Sequence, residues 1–153
     1  MAQGDLKTYQ YYPFNAGKKL LDNVNDSFKY ALTTEAFSAC VVAGGDPTLS
    51  TFTEATAGGN YTAGGNALTG NVWTIGSVSA GVTALDFTDI SLLKDPSNPT
   101  DAKTMQIINF TAGVRTYHVI QLGVNDGDAV DLVNNDLTVT FNAAGTVNIT
   151  VTA

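Results

Sequence analysis

The sequence predicts an all-β chain: an antiparallel two-sheet sandwich of jelly-roll or Ig-like topology, with an extended N-terminal arm and at most one short helix. Three observations predict it. In DLTVTFNAAGTVNITVTA at the C-terminal end, Leu137, Val139 and Phe141 alternate with Thr138 and Thr140, and Val147, Ile149 and Val151 alternate with Asn148 and Thr150. Side chains alternate across a strand, so each run offers one apolar face and one hydroxyl or amide face. The intervening Asn142-Ala143-Ala144-Gly145 reads as a hairpin connection. Second, residues 103–110 and 114–122 are apolar on both faces, as strands in the middle of a sandwich are. Third, turn signals rich in Gly, Pro, Asn and Asp separate roughly eight such segments.

Taken in order, residues 1–14 form the arm, which holds Tyr9, Tyr11, Tyr12 and Phe14, and residues 15–153 form the single sandwich domain. NAGKKLL, residues 15–21, suits a short helix with Asn15 as N-cap, weakened by Gly17. Residues 27–33 make the first strand, with Phe28, Tyr30 and Leu32 on one face and Lys29 on the other. Residues 37–43 read as a second short strand, broken by Gly44-Gly45-Asp46-Pro47. Gly58-Gly59-Asn60 and Gly64-Gly65-Asn66 flank Tyr61-Thr62-Ala63 as a surface loop, and strands follow at 67–75, which carries Trp73, and at 80–89. KDPSNPTDAK, residues 94–103, reads as an exposed loop, 125–128 as a turn, and 130–134 as the lead into the C-terminal hairpin.

Composition bounds the chemistry. A chain of 16.0 kDa fits one domain whose core needs no staples. The lone Cys40 has no internal disulfide partner and, inside an apolar run, reads as a small buried hydrophobe. With one His and one Arg in 153 residues, the types that carry most acid–base, nucleophilic and phosphate chemistry are nearly absent. The expectation is a non-enzyme with no catalytic residue, no cofactor and no metal. A net charge of −7 with Lys18-Lys19 as the only basic pair argues against nucleic acid. No run approaches the ~20 apolar residues that span a membrane. The first residues lack a signal-peptide pattern, so synthesis in a cytoplasm without general secretory export is expected. The Asn-X-Ser/Thr triplets at Asn25, Asn60, Asn109 and Asn148 read as coincidence in a Thr-rich chain.

Four places invite a chemical reading. Asn125-Asp126-Gly127-Asp128, with Asp131, is the best cation candidate, but it lacks the Glu of an EF-hand loop and reads first as an ordinary solvated turn. Asp86 and Asp89 could be imagined as a glycosidase pair, yet nothing around them marks one for a raised pKa. The glycines around Tyr61 lack the Lys-Ser/Thr of a phosphate loop. His118 reads as hydrogen-bonded within its strand, and Arg115 as the partner of an aspartate. The aromatic arm remains: Tyr9, Tyr11, Tyr12 and Phe14 either fold back over their own sandwich or dock onto a neighbour.

In order along the chain, FNAGKKLLDNV, NDSFKYALTT, YTAGGNAL, VTALDFTDI with TMQIINF, and LTVTFNAAGTVNITV resemble a family of small virion proteins encoded among the head genes of tailed bacteriophages. In that family an Asp-rich turn precedes a strand resembling FKVAL, and a GYTAGG loop opens a later strand; here Asn60 stands where the first Gly is usual. The arm before Phe14 and the KDPSNPTDAK segment are less typical. The resemblance implies a decoration or cement protein on the capsid surface, made in the bacterial host and bound to the major capsid protein. It also implies self-assembly, as a homotrimer if it occupies a symmetry axis of the shell. A tail or fibre component for host attachment is the alternative, and a carbohydrate-binding module using Trp73 and Tyr61 comes third. On this reading the arm lies across a neighbouring subunit, and deleting residues 1–12 leaves the sandwich folded.

Overall fold

The computed structural model describes residues 2–41, 45–75, 83–111, 113–142 and 147–153. The chain is all-β, with ten strands among the described residues. They are β1 (Leu6–Thr8), β2 (Phe28–Thr33), β3 (Asn66–Leu68), β4 (Val72–Ile75), β5 (Thr83–Asp86), β6 (Ile90–Leu92), β7 (Thr104–Asn109), β8 (Arg115–Gln121), β9 (Asp136–Phe141) and β10 (Val147–Thr152). One antiparallel sheet runs β1-β8-β7-β2-β3, a second runs β10-β9-β6, and β4 and β5 form a separate ribbon. Two short helices, α1 (Tyr11–Gly17) and α2 (Phe37–Val41), and a 3₁₀ turn at Leu49–Thr51 complete the described structure.

The period-two pattern fixes which faces meet. Phe28, Tyr30 and Leu32 of β2, Met105 and Ile107 of β7 and Ile120 of β8 line one face of the five-stranded sheet. They pack against Ile90 and Leu92 of β6 and Leu137 and Val139 of β9, with Phe141, Ile149 and Val151 at the margin. This sandwich-like arrangement buries the apolar face of both sheets in one core. The C-terminal hairpin has the register expected of it, with Val147 opposite Phe141, Ile149 opposite Val139 and Val151 opposite Leu137. Its connection, residues 143–146, lies outside the described residues.

The other face of the large sheet is covered too, which is why β7 is buried at all six positions. Phe37 and Cys40 of α2, together with Tyr9 and Phe52, close over Val119. Here the structure corrects the sequence reading: 37–41 is helical, not extended, giving two helices where at most one was expected. Phe37, Cys40 and Val41 stand at helical spacing and present one face to the sheet, while Asp126 accepts the Ser38 backbone N–H at 3.1 Å and so caps the start of the helix from 88 residues away. Residues 42 and 43 of the expected strand lie outside the described residues.

The expected strand 67–75 is two strands. Gly70, at φ +68°, turns the chain between β3 and β4, and a Cβ there would collide with Thr88 Oγ1. The 80–89 segment is likewise divided: β5 ends at Asp86, Phe87 enters the core between Phe28 and Phe141, and β6 begins at Ile90. Residues 80–82 lie outside the described residues. The 94–103 segment is not wholly exposed. Asn98 is buried, donates to the carbonyls of Leu93 and Leu132, and accepts the Asn60 backbone N–H at 2.7 Å.

Candidate contact surface

The N-terminal aromatics do not behave as one arm. After β1 pairs with β8, Leu6 opposite Ile120 and Thr8 opposite His118, the Tyr9 backbone N–H continues the ladder to the Tyr117 carbonyl at 2.9 Å. Tyr9 is buried, and its hydroxyl donates to Gln106 Oε1 at 3.2 Å. Gln106 donates in turn to Thr33 Oγ1 at 3.3 Å, and Thr33 and Thr104 share a hydrogen bond of 2.6 Å beside the fully buried Cys40. Burial pushes the Tyr9 hydroxyl well above its ordinary pKa and raises that of the Cys40 thiol, so both are neutral packing groups.

Helix α1 starts at Tyr11, so Asn15 lies within it and not at its N-cap, and the boundary between residues 14 and 15 falls inside the helix. Pro13 is tolerated because first-turn N–H groups have no intrahelical acceptor. The buried side of α1 carries Tyr12 and Asn15. The Tyr12 ring meets Tyr117 at 5.3 Å and His118 at 4.7 Å, while Asn15 Nδ2 reaches the Tyr117 hydroxyl and Asp46 Oδ1, each at 3.4 Å. Arg115 pairs with Asp46 at 2.7 Å, the aspartate partner expected of it. His118 shares a 3.0 Å hydrogen bond with Thr8 Oγ1, and burial lowers its pKa to about 4, so it is neutral at physiological pH.

Tyr11, Phe14 and Lys18 occupy the opposite side at i, i+3, i+7 spacing. The Tyr11 and Phe14 rings meet edge-on at 5.8 Å, Lys18 Nζ sits 4.4 Å over the Phe14 ring, and Phe14 and Leu20 are each about half exposed. Of the four arm aromatics, Tyr9 and Tyr12 therefore belong to the domain's own packing, and Tyr11 and Phe14 form a ledge. Lys18 extends that ledge, a role the sequence reading, which notes it only as half of a basic pair, does not assign. The three-and-seven spacing from Tyr11 could have found Lys18, had the helix been started at the right residue.

The remaining candidates are occupied structurally. Asp128 accepts from the Asn125 backbone and side chain, Asp126 caps α2, and Asp131 accepts from Val133 and Asn134. Their hydrogen bonds hold Asp126 and Asp131 below the ordinary carboxylate range. Among the described residues no three His, Cys, Asp or Glu converge as metal ligands. Asp86 accepts the neighbouring Phe87 N–H and Asp89 the Phe141 N–H, so each organises a strand end. Tyr61 is buried, not displayed: its hydroxyl accepts the Leu32 N–H at 3.0 Å and donates to Glu54 at 2.6 Å. Trp73, on the β4–β5 ribbon, stays more than a third exposed. Among the described residues no helix is long and apolar enough to cross a membrane. No family model, curated protein or solved structure matches the chain.

Proposed function

We propose that this protein is a structural component of a tailed-bacteriophage virion, made in the bacterial host, that binds the outside of the capsid and stabilises contacts between capsomers. The observation that carries the reading is the ledge of Tyr11 and Phe14, with Lys18 over the Phe14 ring, on a helix whose other side is locked into the sandwich. A rigidly held aromatic with open apolar area binds at low entropic cost. The family resemblance in the sequence supplies the partner, the major capsid protein. Such a role asks for a stiff body, a contact surface and many copies in register, and no active site. Internal pressure loads the seams between capsomers, and a protein straddling a seam opposes it by its binding energy summed over the shell. A surface of net charge −7 also avoids adhering to nucleic acid.

The test uses expanded, undecorated capsids of the encoding virus and co-sedimentation. Wild-type protein is expected to saturate the shell and raise its disruption temperature, and Phe14→Ser to bind at least about tenfold more weakly while remaining folded. Failure of the wild type to bind capsids, with binding to host cells instead, would replace this reading by the tail or fibre role.

A further inference from the structure

A β-sandwich must either protect its sheet edges or pair them. Four strands end the two packed sheets, and three are short: β1, β3 and β6 have three residues each. β1 carries Lys7, β3 lies between Gly64-Gly65 and Gly70, and β6 is flanked by Asp89 and Lys94. β10 differs. It has six residues, Val147–Thr152, with no charge, no proline and no glycine, and its register with β9 has no interruption. Among the described residues nothing hydrogen-bonds its outer edge.

The same margin leaves the core open. Leu6, opposite the core residue Ile120, is 40% exposed on edge strand β1, and Ile149 and Val151 of β10 are only partly buried. Gln3, just before β1, and Val151 line one groove of about 400 Å³, so the β1 and β10 edges lie on one side of the sandwich. At the opposite margin Leu68, Ile90 and Leu92 are buried. The β1–β10 side therefore leaves more apolar surface open than the β3–β6 side, where the cleft lined by Leu68 and Ile90 is only about 200 Å³.

We infer that two copies of this chain pair along β10, antiparallel about a twofold axis, joining two three-stranded sheets into one of six. The strand is self-complementary. Residues directly opposed across an antiparallel pair share a face, so the axis must set Ile149 against its counterpart or Thr150 against its counterpart. Either register places Ile and Val of both copies on the core side and Thr on the solvent side. The absence of charge matters because a charged side chain on an edge strand blocks edge pairing, and a charge at the axis would meet its own copy directly. The pair would also shelter Ile149 and Val151, leaving no long bare edge to recruit further strands. The twofold pair takes the place of the trimer expected from the resemblance and does not rest on the capsid reading.

A six-residue strand is about 20 Å long, so the interface falls at the small end of stable contacts. Sedimentation equilibrium from about 1 to 300 µM is therefore the measurement, and a reversible monomer–dimer equilibrium is expected across that range. Thr150→Lys, on the solvated face of the edge strand, should weaken dimerisation at least about tenfold, and Thr138→Lys, on the same face of the inner strand, should not. Circular dichroism checks that both variants fold. Hydrogen exchange on the wild type, needing no variant, should show amides 147–152 slowing as concentration rises. A monomer throughout, a trimer, equal weakening by both substitutions, or concentration-independent exchange at 147–152 would each overturn the inference.

Discussion

The Tyr9 hydroxyl donates to Gln106 Oε1 at 3.2 Å, tying the segment after the first strand to the centre of the sheet across 97 residues of sequence. Both groups are buried, and Gln106 passes the connection on to Thr33. Tyr9→Phe therefore strands a buried acceptor and should cost about 1–2 kcal/mol in urea denaturation. Tyr9→Ala also opens a cavity against Phe37 and Phe52 and should cost about 3 kcal/mol or more. Phe14→Ala, on the open ledge, should cost under about 0.5 kcal/mol. Equal losses at Tyr9 and Phe14 would contradict the division of the aromatics into packing and ledge.

The same division reverses the expectation for truncation. Deleting residues 1–12 removes the β1 ladder, the Tyr9 hydroxyl and the Tyr12 ring stacked on Tyr117 and His118. The domain should lose several kcal/mol, or fail to fold, because β8 and the α2 layer would be uncovered. Differential scanning calorimetry of the truncated chain tests this, and an unchanged melting temperature would return residues 1–12 to the status of a free arm.

The hairpin gives a two-sided test. Val139 is fully buried between the sheets, and Thr138 lies on the opposite face between Ser91 and Thr150. Val139→Asp should cost several kcal/mol and Thr138→Asp less than about 1 kcal/mol. Comparable losses in chemical denaturation would mean that the outer face of the small sheet is covered.

How far these relationships can be read from sequence depends on whether they are local. Alternation marks β2, β9 and β10, because a half-buried strand writes its period into every second residue, while β7 and β8 stand out as runs apolar on both faces. The order β1-β8-β7-β2-β3 is written nowhere locally, since it depends on which distant faces fit. α2 reads as a strand in the sequence because a short apolar run has no period long enough to separate helix from strand, and what favours helix there includes the Asp126 carboxylate from a remote turn. The sequence places the α1 N-cap five residues late because Asn15 is a better N-cap than Gln10, which makes no side-chain cap; packing of Tyr12 and Asn15 on β8 outweighs capping preference. The four aromatics are legible as a group, but separating the buried Tyr9 and Tyr12 from the half-buried Tyr11 and exposed Phe14 requires the helix phase.

His118 supplies a pH signature. Folded, its pKa is about 4, against roughly 6.5 for a free histidine. Between those values the unfolded chain binds a proton that the folded chain refuses, so stability rises with pH across the window. The contribution is complete above about pH 6.5 and lost as pH falls toward 4. A shift of this size caps the effect near 3 kcal/mol, and partial exposure of the ring reduces it to about 1–2 kcal/mol. The hydrogen-bonded Asp22, Asp126 and Asp131, held low, lose their share only below the ordinary carboxylate range, so the windows separate. His118→Gln should flatten the stability curve between pH 4 and 6.5 while leaving the fall below pH 4. Parallel curves for variant and wild type would remove burial of this ring as the cause.

Tyr61 anchors the glycine-rich loop, and its prediction separates a structural role from a sugar-binding one. Its hydroxyl accepts the β2 backbone N–H of Leu32 and donates to Glu54 Oε1, which also accepts the Gly64 N–H at 2.7 Å. Tyr61→Phe leaves both the Leu32 donor and one Glu54 bond unmade, a cost of about 2 kcal/mol or more. Gly65, at φ +84°, lies so close to β2 that a Cβ would stand 2.6 Å from the Tyr30 carbonyl oxygen. Gly65→Ala combines a disfavoured backbone conformation with that collision and should destabilise by a further route of similar size, about 2 kcal/mol. The two residues lock the same loop to the same strand, so the double variant should lose less than the sum of the single changes. Full additivity in urea denaturation would show that Tyr61 and Gly65 hold separate structures. Stability unchanged by Tyr61→Phe would free the hydroxyl for a ligand and reopen the carbohydrate reading of this loop.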